Sequence, residues 1–83
     1  TQFSIAIPDD FNSQGITFYH LFTTFKQSYN ATILGIADDR TGNGMDLNPD
    51  NDYPIKAGQF IHYIAQQRLL SEDISWSNLI ATE

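Results

Sequence analysis

The side chains best suited to chemistry lie between Asp38 and His62. Asp46-x-Asn48-x-Asp50-Asn51-Asp52 sets side-chain oxygens at alternate positions, as in the first half of a calcium loop, and hard oxygen ligands are what calcium takes. Asp46, Asp50 and Asp52 are therefore candidate calcium ligands, and Asp38 and Asp39 could add oxygens from the neighbouring loop. The match to an EF-hand stops there. Such a loop needs glycine at its sixth position and a bidentate Glu at its twelfth, where this chain has Asn51 and Ala57, and Pro49 interrupts the pattern. Without an ion, the same residues are ordinary turn formers, since Asn and Asp bond local backbone and Pro fixes its own φ.

Catalysis has little to work with. Cysteine is absent, and the two histidines, His20 and His62, fall on a predicted helix and a predicted strand with no serine or carboxylate beside either in a recognised motif. A triad can be assembled from distant parts of a chain, but there is neither a glycine-rich phosphate loop nor a metal motif, and the chain reads as a non-enzyme. His20 is expected at the surface. His62 alternates with Phe60 and Ile64, so it is either partly buried with its nitrogens satisfied or turned toward a ligand.

The elements that must position these residues follow from hydrophobic spacing. Phe3, Ile5 and Ile7 alternate with small residues, the pattern of a half-buried strand, and Pro8 ends it because it donates no ladder hydrogen bond. A polar loop follows, with Phe11 expected to tuck under the sheet. Thr17 is a good N-cap, and Phe18, Leu21, Phe22, Phe25 and Tyr29 fall in the i, i+3, i+4, i+7, i+11 series of one helical face. Asn30 suits a left-handed cap. Thr32 to Ile36 is apolar on both alternations, as in a central strand covered on both faces, with Gly35 marking close backbone approach or packing on an aromatic. Asp38 to Gly44 reads as a hairpin loop, and Met45 and Leu47 as a brief returning strand. The turn formers Asn48 to Asp52 reverse the chain, Ile55 anchors it, and Lys56-Ala57-Gly58 turns it into a strand over Gln59 to Ala65. Ser71, with Glu72 and Asp73 in its first turn, is expected to open a short C-terminal helix presenting Ile74, Trp76, Leu79 and Ile80.

The spacing Asn48-Pro49-x-x-Asp52-x-x-Ile55-x-x-Gly58, followed by the strand Phe60 to Ile64 and preceded by Ala31 to Ile36, resembles the C-terminal lobe of RCK domains. This lobe, also called the TrkA C-terminal domain, occurs in cytoplasmic parts of potassium channels and cation transporters. The resemblance covers roughly Phe3 to Ala65. The chain departs from the family's usual pattern at Gln59, where an acidic residue is usual, and at His62 and Tyr63, where aliphatic ones are. The resemblance implies a regulatory lobe on the cytoplasmic side that pairs with itself and senses a small effector, and Arg40, Asn48 and His62 are the candidate ligand-binding residues. The alternative is a structural dimerisation module that binds nothing small.

Length and composition fit this. Eighty-three residues allow one small α+β domain, residues 1–83: a mixed or antiparallel sheet of three to four strands, one covering helix and a short C-terminal helix. A core of that size is marginal alone, and one sheet face is left for a second copy to cover, so a homodimer is expected. Four Lys and Arg against ten Asp and Glu give a formal charge of -6, which argues against nucleic acid and anionic membrane surfaces as partners. No apolar run reaches the length of a membrane span. The chain begins without methionine and enters a strand pattern within two residues, which suggests a fragment of a longer protein.

Overall fold

In the computed structural model, which describes residues 1–12, 15–76 and 79, the turn formers of 48–54 are stitched to the start of the helix. The first backbone N–H groups of a helix have no partner within it. Here Phe18 N–H donates to the Tyr53 carbonyl (2.8 Å) and Tyr19 N–H to the Asn51 carbonyl (3.0 Å), and Thr17 and Pro54 form an isolated bridge. Helix α1, Phe18–Tyr29, buries Phe18, Leu21 and Phe25 from the predicted stripe. It ends at Asn30, left-handed at φ 53°.

The sheet is wholly antiparallel. Strands β1 (Gln2–Ala6), β2 (Thr32–Ala37), β3 (Asp46–Leu47) and β4 (Phe60–Ile64) lie in the order β1-β4-β2-β3, and the pairing of β1 with β4 continues to Ile7, whose N–H donates to the Gln59 carbonyl. Pro8 then stops it, as the missing donor requires. The domain is thus α+β with one covering helix, as the hydrophobic pattern predicts.

Strand β2 departs from plain alternation. Ile33 pairs with Tyr63 but Gly35 with His62, a register shift that makes a bulge at Leu34-Gly35. A bulge inserts one residue into one strand, so Ile33 and Ile36, three apart, share the face of Ile61 and Tyr63. That face, with Ile5 and Ile7, meets α1 in one buried cluster. Gly35 is the close approach: a Cβ there would come 2.6 Å from the Asp46 carbonyl oxygen.

Two expectations are corrected. The second sheet face is not the broad apolar surface foreseen, because the register gives it Gln2, Ser4, Thr32, Gly35 and His62 beside Ala6, Ala37, Phe60 and Ile64. The described part of the C-terminal stretch does not cover that face either. Among its described residues it shows a single 3-10 turn, Ser71–Asp73, after which Ser75 N–H donates to the Tyr29 hydroxyl (3.0 Å) and Trp76 meets Phe11 edge-on (5.8 Å between centroids). Ile74 and Leu79 join the main core on the α1 side. Ile80, expected on the same helix, lies outside the described residues. No helix of the described residues is long and apolar enough to cross a membrane.

Candidate functional site

His62, on central strand β4, is 4% exposed and turned away from α1 by strand alternation. It is covered by the chain's own loop, residues 38–45. Its Nε2 lies 3.1 Å from the Asp39 carbonyl oxygen. A carbonyl only accepts, so Nε2 carries the proton and donates. One nitrogen of this histidine is therefore satisfied within the chain, and the ring also lines a pocket.

That pocket, of about 360 Å³, is lined by Ser4, Arg40, Thr41, Met45, His62 and Arg68, together with Gln2 and Phe3. Arg40 is exposed, and among the described residues none hydrogen-bonds or ion-pairs with its guanidinium. The Arg68 guanidinium stacks 5.0 Å from the centroid of the Phe3 ring. Among the described residues no hydrogen bond or ion pair holds its N–H groups, which leaves them for a planar or tetrahedral anion. Two cations and the Ser4 hydroxyl thus line the pocket over one buried imidazole, an arrangement able to take a carboxylate or a phosphate.

The loop that carries Arg40 is built by Asp39. Its Oδ1 accepts from Thr41 N–H (3.0 Å), Thr41 Oγ1 (2.8 Å), Gly42 N–H (3.0 Å) and Asn43 N–H (3.1 Å), and its Oδ2 from Asn43 Nδ2 (2.6 Å). These bonds, led by that of the Thr41 hydroxyl and followed by those of Asn43, hold the carboxyl down to about 2, since each stabilises the charged form.

Of the predicted ligand residues, Arg40 and His62 are brought together and Asn48 is not. Asn48 stands at φ 46°, its N–H donating to the Leu34 carbonyl (2.8 Å). It lines a separate open depression with Asp46, Asp50 and Asp52. The calcium reading of these aspartates is not what the structure builds. Among the described residues no group of three or more His, Cys, Asp or Glu side chains is placed to hold a metal ion. The reason is local: the Asn51 and Tyr53 carbonyls are turned to the helix N-terminus, and Asp46 Oδ2 accepts from the Tyr53 hydroxyl (2.7 Å). His20 also has a structural role, since its Nδ1 accepts from Thr17 N–H (3.1 Å) and bonds the Thr17 hydroxyl (2.8 Å), closing the helix start as a Glu or Gln does in a capping box.

Arg68, Thr41 and Ser4 escape a sequence reading. Arg68 follows β4, and only the pairing of β1 with β4 brings it to Phe3; its one sequence signal is that cations are few in this chain. Gln59, the departure from the resembled motif, accepts the Lys56 N–H at its Oε1 (2.8 Å), a role that a carboxylate oxygen could also fill. Comparison with family models, curated proteins and solved structures gave no match.

Proposed function

We propose that this chain is a regulatory lobe that binds a small anionic effector in the pocket between Arg40 and Arg68. Its setting is the one its Asn48 to Gly58 motif resembles, the cytoplasmic side of a potassium channel or cation transporter. The observation that carries the reading is charge placement. In a chain of formal charge -6 with four Lys and Arg residues, two of the four stand around one buried histidine. Arg40 rides on the 38–45 loop and Arg68 on the stretch after β4, so an anion held by both ties the two segments together. It therefore favours the conformation in which they are close, and a bound effector biases a coupled gate by that difference in affinity.

Titration of the full chain with inorganic phosphate tests this. Saturable binding is expected, and Arg40→Ala or Arg68→Ala should each weaken it by about tenfold or more, the worth of one charged hydrogen bond, while Lys56→Ala leaves it unchanged. Binding indifferent to both arginines would sink the proposal. The second reading is a structural module that pairs two copies. Leu47 on edge strand β3 (70% exposed) and Ile64 on the second sheet face (45% exposed) favour it. Light scattering at tens of micromolar decides it, and a particle of single-chain mass removes the pairing.

A further inference from the structure

We infer that Asp39 is the positioning residue of this pocket: its side chain locks the 38–45 loop in the conformation that sets Arg40 beside His62. The inference rests on the anion reading of the pocket for its binding consequence, and on geometry alone for the lock. Arg40 has no bond of its own to the protein among the described residues, so where its side chain can reach depends on the backbone on either side. On one side Asp39 is fixed to the sheet through its carbonyl, which accepts from His62 Nε2 at 3.1 Å. On the other, the Asp39 carboxylate gathers Thr41, Gly42 and Asn43 through five hydrogen bonds of 2.6 to 3.1 Å, and the Asp39 carbonyl also accepts from Gly42 N–H (3.2 Å). The loop closes on itself where Asp38 N–H donates to the Asn43 carbonyl (2.9 Å).

Among the described residues this network is nearly self-contained, since its carboxylate bonds reach only residues 41–43 and its one hydrogen bond to the sheet is to His62. A glycine-containing loop without it would sample many conformations, because nothing else would offset the conformational entropy of fixing its backbone. Apparent affinity falls by the fraction of molecules in the competent conformation. Loosening the lock therefore weakens anion binding without touching a residue that meets the anion.

The experiment uses the full chain and three readouts: phosphate titration, amide exchange at Gly42 and Asn43, and the His62 ring nitrogen resonances. Asp39→Ala should raise the apparent phosphate dissociation constant about tenfold, speed exchange at both amides at least tenfold, and shift the His62 Nε2 resonance, while exchange within α1 stays as in the wild type. Asp39→Asn is the rescue. Its Oδ1 can still accept the four bonds made at that oxygen, so it should stay near the wild type in all three. An Asp39→Ala chain with wild-type phosphate affinity, amide exchange and His62 signal overturns the inference. If the wild type takes up no phosphate while Asp39→Ala still frees Gly42, Asn43 and His62, the anion reading and Asp39's part in binding fall together, and the lock stands.

Discussion

Asp39 and His62 meet across the second face of the sheet, the imidazole Nε2 lying 3.1 Å from the Asp39 carbonyl oxygen. One residue thereby joins the hairpin loop to the central strand with its main chain and orders that loop with its side chain.

The Asp39 carboxyl is held down to about 2 from an ordinary value of 3.8. A folded-state value below the unfolded one means that its bonds to Thr41 and Asn43 contribute stability in full above about pH 4, and that this contribution fades as the pH falls toward 2. The group is half-buried at the surface and its carboxylate bonds join residues 41–43, so the effect is local to the loop. An NMR titration should show the Asp39 carboxyl carbon with a midpoint near 2, and the Gly42 and Asn43 amides changing with it. A midpoint at the ordinary value would mean that the loop is open in solution.

Gly35 is where β3 crosses closest to β2. A Cβ would sit 2.6 Å from the Asp46 carbonyl oxygen and 3.1 Å from the Leu47 Cα, and backbone atoms in a ladder cannot swing aside. Gly35→Ala should cost about 1–3 kcal/mol as overpacking, which at this chain length lowers the thermal midpoint by about 4 °C or more. A midpoint within 2 °C of the wild type would show that β3 does not pair with β2 as described.

The legible parts of the fold are those with one period. The α1 stripe and the alternation of Phe3, Ile5 and Ile7 each follow a single repeat, and the turn at Gly58 is marked by its residue types. Strand β2 looked apolar on both alternations because a bulge returns Ile36 to the face of Ile33, and Gly35 was the only local sign of it. For the site, Arg40 and His62 were legible as residue types, but Arg68 was not, since its place beside Phe3 depends on β1 pairing with β4 from the far end of the chain. The calcium pattern counted side-chain oxygens. It could not see that the carbonyls of Asn51 and Tyr53 are already bonded to the N–H groups of Phe18 and Tyr19.

Gly58 tests backbone conformation apart from packing. Its φ is 85°, and a Cβ there would lie 3.7 Å from Asp9 Oδ1, an ordinary contact. The cost of a side chain is therefore conformational, about 1–2 kcal/mol for a left-handed residue. Gly58→Ala should lower the thermal midpoint measurably, Gly58→Val should lower it further because its branched Cβ is stiffer, and adding Asp9→Ala should restore neither. Recovery in the double variant would show that contact, not backbone conformation, sets the cost.

Tyr53 links the 48–54 turn to β3 through its hydroxyl, which donates to Asp46 Oδ2 at 2.7 Å. The phenol is raised above its ordinary value of 10.0, first by that hydrogen bond, then by burial and by the negative charge of Asp46. All three favour the neutral phenol, so the stabilisation is fully present below about pH 10 and is lost as the pH rises through the raised value. The chain has four tyrosines, and subtracting the alkaline absorbance titration of Tyr53→Phe from that of the wild type isolates this one. Its midpoint should lie above 10, and Asp46→Asn, which keeps an acceptor but removes the charge, should bring it back toward 10. An isolated midpoint at or below 10 in the wild type would mean that the hydroxyl and Asp46 do not meet in solution, and the Asp46 oxygens would then be open to another partner.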